Sequence, residues 1–196
     1  IINVIRKFAN IKHVATAHGI KKKTAPFLKA DKLIAVSKNI KDSINRESVV
    51  INNWWSPVLP KEIERTHDYV LAVGRLEKVK GFDLLIESWK NIPSKLVIVG
   101  KGQEKNSLNQ LISNFDLDEK IKIVDEISQK ELIKYYQGAS MLIVSSRNEG
   151  GPRVALEALY LKIPVISTNG GHIDEILLRE LLAEPHNVIA LTDLVE

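Results

Sequence analysis

From residue 69 onward, short apolar runs alternate with amphipathic segments, and this alternation limits the possible folds more than any other feature of the chain. The runs are apolar on both faces, which is typical of strands buried on both sides of a parallel sheet. The predicted strands are 69–73, 95–99, 120–124, 140–145, 164–168 and 187–191. The pattern therefore predicts an α/β fold, in which a Rossmann-like parallel sheet carries helices on both faces.

The segments between these strands follow helical spacing. In 81–91 the apolar residues recur at i, i+3, i+4 and i+7, as on the buried face of an amphipathic helix. Ser128 and Glu131 form the pattern of a capping box, so a helix is expected to begin there. Further helices are predicted at 104–115, after Pro152 and near 173–182.

The first fifty residues predict part of a second unit of the same kind. Two strands are expected at 13–19 and 31–37, joined by a basic and helical stretch. Residues 51–60 contain turn residues and two prolines, which is typical of a linker. We therefore predict two domains. Residues 1–56 would be the incomplete end of an N-terminal Rossmann-like domain with its linker, and residues 57–196 a second Rossmann-like domain.

Composition and charge limit the classes of partner. Hydrophobic residues make up 44% of the chain and charged residues 27%, as in an ordinary globular protein, and the absence of cysteine fits a reducing compartment such as the cytoplasm. Residues 1–50 hold 11 Lys and Arg against 3 Asp and Glu. This basic segment either meets an anionic membrane, a nucleic acid or a phosphorylated ligand, or is a solvated surface. Aromatic residues do not interleave with it, so nucleic acid is not expected.

Loops after the strands are where ligand chemistry is expected, because open α/β sheets bind ligands beyond the carboxyl ends of their strands. Gly74, Arg75 and Lys80 follow the strand 69–73. A guanidinium and an ammonium suit a diphosphate, although the same pair is compatible with ordinary surface cations. The loop after 95–99 has a Gly-x-Gly pattern without a third glycine, which favours a tight strand-to-helix turn over a dinucleotide site.

The stretch SSRNEGGPRVALEALYLKIPVIST, residues 145–168, holds two glutamates with seven residues between them, Glu149 and Glu157. Two glycines and a proline follow the first glutamate, where the backbone can approach a ligand closely and a helix can begin. Glu157 lies among apolar residues, and a glutamate in such surroundings is seldom buried without a partner. Sugar hydroxyls would be suitable donors to it, and the alternative is a half-exposed glutamate.

Histidines give little indication of a metal site. None of the five has metal-ligand spacing to another ligand, so no structural zinc is expected. His18 is kept as a candidate, because it lies at a predicted strand end beside Gly19.

Together these motifs resemble the retaining glycosyltransferases of the GT-B fold, family 4 type, also called glycosyl transferases group 1, which use nucleotide sugars. VGRLEKVKGFDLLIES (73–88) looks like the donor-phosphate loop of that family, and residues 145–168 look like its E-x7-E motif. TNGGHIDEI (168–176) is similar to the segment that follows the motif. The resemblance covers residues from about 68 to 180, and more faintly residues 11–56.

The resemblance implies a role for each matching residue. Arg75, Lys80 and Glu149 would be catalytic: the two cations would neutralise the leaving diphosphate, and the glutamate would hold the transferred sugar. No metal or other cofactor is expected, because the cations would replace it. The donor-binding residues would be Gly74, Gly150, Gly151, Glu157 for the ribose, and His18 from the other domain.

The implied activity is transfer of a sugar from a UDP- or GDP-sugar to a glycan or lipid-linked acceptor with retention, in surface polysaccharide synthesis. The reaction would take place in the cytoplasm or at the inner face of the membrane, which residues 1–50 would contact. The family's glycine-rich first loop, most of its acceptor domain and its final helix find no match, so a non-catalytic nucleotide-sugar-binding fragment is the alternative. A nucleotide-sugar epimerase is less favoured, because the E-x7-E motif indicates transfer. Pro152 departs from the family pattern and removes one backbone donor.

Overall fold

The computed structural model describes residues 12–18, 29–44, 46–52, 59–60, 62–149 and 152–195. Backbone contacts divide the chain into two compact units, Ile1–Trp54 and Trp55–Glu196. The predicted limits of the domains, 1–56 and 57–196, stay a prediction, because residues 53–58 lie outside the described part of the chain.

The first unit contains a small parallel sheet. Its strands are β1 (Val14–Ala17), β2 (Lys32–Ala35) and β3 (Val49–Val50), in that spatial order. Helix α1 (Lys38–Ser43) follows β2, and the side chain of Ser37 caps it by accepting from the amide of Ile40 at 3.2 Å. The predicted helix between β1 and β2 falls largely on residues 19–28, which are not described.

The second unit contains a larger sheet, and it confirms the predicted fold class. The strands are β4 (Tyr69–Val73), β5 (Leu96–Val99), β6 (Ile121–Val124), β7 (Ala139–Val144), β8 (Val165–Thr168) and β9 (Leu182–Ala183). They are all parallel and lie in the order β6-β5-β4-β7-β8-β9. Counted from β4, this is the order 3-2-1-4-5-6 of doubly wound nucleotide-binding sheets.

Helices cover both faces of this sheet, as predicted. They are α2 (Phe82–Ser88), α3 (Lys105–Asn114), α4 (Gln129–Gly138), α5 (Arg153–Tyr160) and α6 (Val188–Asp193). Apolar residues of α2, α3 and α6 belong to one buried cluster, and those of α4 and α5 to another. The predicted capping box is present at the start of α4. Within the described ranges, no helix is long and apolar enough to cross a bilayer.

The prediction fails at the C-terminal end. The segment 187–191, expected to be a strand, forms the first part of α6, because the Asn187 side chain caps the amide of Ala190 at 3.0 Å. Leu191 is buried and Ile189 is exposed, so only one face of this apolar run packs against the protein, as in an amphipathic helix. The helix expected near 173–182 is instead two 3₁₀ turns, Ile173–Glu175 and Arg179–Leu181, followed by β9.

The topology produces a crevice at the carboxyl ends of the two central strands, β4 and β7. The chain runs outward from β4 through β5 to β6, and then returns to the other side of β4 to form β7. The loops after β4 and β7 therefore leave the sheet from adjacent strand ends in different directions. Such a switch point is where open α/β sheets bind their ligands.

Candidate functional site

A pocket of about 590 Å³ lies at the switch point. Five residues that the sequence singled out line it together: Gly74, Arg75, Lys80, Glu149 and Glu157. Most of the remaining lining comes from the ends of β5 and β7, from the loop before α4 and from the start of α5. Its volume suits a small organic ligand.

Lys80 and Glu149 meet across the switch point. The Lys80 ammonium donates to Oε2 of Glu149, and the Ser146 hydroxyl donates to the same oxygen at 3.0 Å. Both charged side chains are largely buried, with exposed fractions of 20% and 14%. The loops after β4 and β7 are thus joined by an ion pair inside the pocket, which the sequence did not predict.

Arg75 has a different environment. Its Nη1 donates to Oε1 of Glu77 at 2.6 Å, and its side chain is 71% exposed. Such an exposed pair holds its partners only weakly, so the guanidinium is available to an anionic ligand in the pocket.

Glu157 is buried rather than half-exposed, with 5% of its surface accessible. The Tyr136 hydroxyl donates to Oε2 at 2.9 Å, and the Gln129 amide approaches Oε1 at 3.4 Å. Burial raises the pKa of Glu157, and the hydrogen bond from Tyr136 offsets part of this rise. Sequence reasoning missed Tyr136, although its spacing of four from Leu132 places it on the buried face of α4.

We expect Tyr136→Phe to destabilise the protein more as the pH rises. The pKa of Glu157 is raised, so its ionisation costs stability as the pH passes through the folded-state value. The Tyr136 hydroxyl reduces that cost, and a bond to a charged group contributes about 1.5–3 kcal/mol. In urea unfolding, the variant should therefore lose little free energy of unfolding at about pH 4.5. At about pH 8 it should lose about 1.5–3 kcal/mol.

Tyr69→Phe is the matched control for this prediction. The Tyr69 hydroxyl donates to the backbone carbonyl oxygen of Tyr135 at 3.1 Å, so neither partner changes charge over the same range. Tyr69→Phe should lower the free energy of unfolding by about 0.5–1.5 kcal/mol at every pH. A loss for Tyr136→Phe that is equally independent of pH would contradict the assigned partnership.

A second set of contacts holds the two pocket loops together. Arg147, after β7, donates through Nη1 and Nη2 to the two carboxylate oxygens of Asp83 on α2, each at 2.7 Å. Burial opposes ionisation of Asp83, but the hydrogen bonds and the charge of Arg147 lower its pKa overall. Nη1 of Arg147 also donates to the carbonyl oxygen of Lys78 at 2.6 Å, and Ser145 Oγ donates to that of Lys80 at 2.9 Å. These bonds fix the turn that carries Lys80, and no motif in the sequence indicated them.

The Gly-x-Gly loop after β5 is a tight turn, as predicted. A Cβ added at Gly100 would lie 1.8 Å from the carbonyl oxygen of Gly74, and one at Gly102 would lie 2.3 Å from that of Leu76. The amide of Leu76 also donates to the carbonyl oxygen of Lys101 at 2.9 Å. This loop therefore supports the loop after β4 by close backbone contact.

The backbone of Glu149 is held by the segment that follows β8. Its amide donates to the carbonyl oxygen of Gly170 at 2.9 Å, and its own carbonyl oxygen accepts from the amide of His172 at 3.1 Å. Pro152 is the N-cap of α5, so this helix begins after Pro152 as predicted, and the Pro152 carbonyl oxygen accepts from the amide of Ala155 at 3.0 Å. Gly150 and Gly151, predicted to bind the donor, lie outside the described residues.

His18 belongs to the first compact unit, where it follows β1 and is exposed. Its donor-binding role stays a prediction. Across the described residues, no three His, Cys, Asp or Glu side chains converge as a metal site would require. The expectation that no metal takes part also stays a prediction.

Sheet order and pocket together define a Rossmann-like ligand-binding domain, and its family is shown by comparison with known proteins. The family model described as "Glycosyl transferases group 1" matches residues 60–196, which is more than half of the chain. The chain therefore belongs to this family.

Individual relatives agree with this family. The amylovoran biosynthesis glycosyltransferase AmsD of Erwinia amylovora is 39% identical over 106 residues, which are 53% of this chain and 30% of AmsD. The putative teichuronic acid biosynthesis glycosyltransferase TuaC of Bacillus subtilis is 28% identical over 98% of this chain and 56% of its own length. The chain thus spans about half, or less, of these two curated relatives.

Solved structures share the fold. Anabaena Alr3699/HepE, solved in complex with UDP-glucose, superposes with a TM-score of 0.86 at 18% identity. The match covers 99% of this chain and 64% of HepE. An identity this low shows a common architecture and leaves the ligand of this chain to be proposed.

Proposed function

We propose that this chain carries the donor site of a glycosyltransferase of the retaining, family 4 type. It would transfer a sugar from a UDP- or GDP-sugar to a glycan or lipid-linked acceptor. The observation that carries the proposal is the convergence of Arg75, Lys80, Glu149 and Glu157 on one pocket at the switch point. These cations and carboxylates match the two kinds of group in a nucleotide sugar, its phosphates and its hydroxyls.

The cations suit the leaving group. As the bond between sugar and phosphate breaks, negative charge builds up on the diphosphate, and fixed positive groups in a partly dry pocket stabilise it. Lys80 is the better placed of the two, because it lies largely buried between the loops, whereas Arg75 lies near the rim and is exposed. With two cations in these places the reaction would need no metal.

The carboxylates suit the hydroxyls. Glu157 would accept hydrogen bonds from the ribose, because Tyr136 and Gln129 leave part of its acceptor capacity free for a ligand in the pocket. Glu149 would hold the transferred sugar, together with the backbone of Gly150 and Gly151. Retention of configuration is part of this proposal through the likeness to the family's E-x7-E motif.

The biological setting is proposed from the relatives. AmsD and TuaC are named for the biosynthesis of amylovoran and teichuronic acid, and HepE was solved with UDP-glucose. These names favour a role in making surface polysaccharide from a nucleotide sugar. The basic residues 1–50 would then touch the anionic inner face of the membrane, with a strength that falls as salt is added.

The donor site is tested by thermal unfolding with a panel of nucleotides. A nucleotide sugar present at 100 times its dissociation constant should stabilise the folded protein by about 2.7 kcal/mol and so raise its melting temperature. NAD, which has a diphosphate but no transferable sugar of this kind, serves as the control and should leave the melting temperature unchanged. No shift with any UDP- or GDP-sugar would refute the donor site, and binding without transfer would favour the non-catalytic alternative.

A further inference from the structure

The two cations proposed to bind the diphosphate already have partners within this chain. Arg75 pairs with Glu77, which does not line the pocket, and Lys80 pairs with Glu149, which does. The second pair is largely buried, and its carboxylate and its ammonium face the same ligand space. Any diphosphate that reaches Lys80 arrives next to the charge of Glu149.

A carboxylate and a diphosphate compete for the same ammonium. Lys80 is a point charge with three donors on a flexible stem, and that stem passes over Gly74, whose added Cβ would lie 3.6 Å from Lys80 Cδ. The short stem contacts and low exposure restrict where the ammonium can turn. A diphosphate can gain the full charge of Lys80 only if Glu149 gives way, because like charges in a partly dry pocket repel each other strongly.

Glu149 would keep a hydrogen-bond donor if Lys80 turned away from it. The Ser146 hydroxyl also donates to its Oε2 at 3.0 Å, and it would remain after Lys80 has turned to a phosphate. When a sugar is attached to the diphosphate, its hydroxyls would supply further donors. When the ligand is a nucleoside diphosphate alone, no such donors arrive, and the carboxylate keeps competing for the ammonium.

We propose that Glu149 is an internal competitor of the nucleoside diphosphate for Lys80. This inference rests on the proposed donor site and adds a second role to Glu149. This competition favours binding of the intact nucleotide sugar, because its sugar hydroxyls give Glu149 new partners. It disfavours binding of the nucleoside diphosphate product, which supplies no such partners. After transfer, the return of Glu149 to Lys80 weakens the hold on the product and promotes its release.

The test compares the affinities of UDP and GDP for the wild type and for Glu149→Gln by calorimetry. The glutamine keeps the shape and loses the charge, so Lys80 is freed for the phosphates. The nucleoside diphosphate that binds the wild type should bind the variant about three- to tenfold tighter. The matching nucleotide sugar should gain less, because its sugar loses a carboxylate acceptor.

Two further variants separate competition for Lys80 from a general effect of charge. Glu87 lies on α2 outside the pocket, in an exposed pair with Lys90, so Glu87→Gln removes the same charge there and should leave both affinities unchanged. In a Lys80→Gln background, Glu149→Gln should lose most of its gain, because no ammonium remains to be freed. If Glu149→Gln gains the same affinity with and without Lys80, the gain comes from simple repulsion between the carboxylate and the phosphates. That result would refute the competition for Lys80.

Failure of this inference differs from failure of the donor site. If Glu149→Gln binds the nucleoside diphosphate no better than the wild type, or more weakly, Glu149 only positions Lys80 and the competition is refuted. If the wild type binds no UDP, GDP or nucleotide sugar, the donor site itself is refuted. Either outcome is read from the same titrations.

Discussion

Replacing Gly81 with alanine is expected to lower the free energy of unfolding by about 2–4 kcal/mol. Gly81 ends the turn that carries Lys80 and has a φ of +64°, in the left-handed region that side chains rarely adopt. An added Cβ would also lie 2.1 Å from the carbonyl oxygen of Ser145 at the end of β7. Both penalties fall at the switch point, so the loops after β4 and β7 would have to separate.

Gly74→Ala is the matched control in the same loop. Its added Cβ would meet its nearest neighbours, in Phe82 and Lys80, at ordinary contact distances of 3.5 Å and more. Its effect on unfolding should stay within about 0.5 kcal/mol. Urea unfolding of the two variants measures the difference, and equal stabilities would contradict the close approach of the two loops.

Most of the fold could be predicted from the sequence, because strands buried on both faces leave a simple pattern. The runs from 69–73 to 164–168 became β4 to β8 with small changes at their ends. The pattern failed at 187–191, where an apolar run of strand length became α6. The deciding feature there was the cap supplied by Asn187, which outweighs the β-branched residues that follow it.

The site was predictable only in part, because motifs indicate which residues face a ligand but not which residues hold them. The two loops identified Lys80 and Glu149 separately, yet nothing in their spacing indicates that they pair. The partnership of Tyr136 with Glu157 depends on α4 and α5 sharing one buried cluster, although 14 residues separate the two helices in the chain. Such long-range contacts follow from the tertiary structure and leave no local signal.

Lys80→Ala is expected to have the largest effect on activity. The ammonium lies largely buried at the point where the proposed diphosphate would gain charge. Removing one such stabilising contact costs about 10²–10³-fold in turnover. Glu149→Ala should also lose transfer, while both variants keep the fold, because neither side chain belongs to the apolar clusters that pack the sheet.

Lys78→Ala is the control for the loss of a charge. Lys78 lies on the same 3₁₀ turn, Lys78–Lys80, but its side chain is exposed and does not line the pocket. Its backbone carbonyl oxygen, which Arg147 contacts, is unaffected by the substitution. This variant should retain the wild-type rate.

The rate at which UDP or GDP is released from the matching nucleotide sugar, in the presence of glycan acceptors, tests the central claim most directly. The wild type and Lys78→Ala should turn over at similar rates, and Lys80→Ala should be slower by about 10²–10³-fold while remaining folded under the assay conditions. Equal rates for all three proteins, or no turnover by the wild type with any UDP- or GDP-sugar, would contradict the assignment of this pocket to sugar transfer.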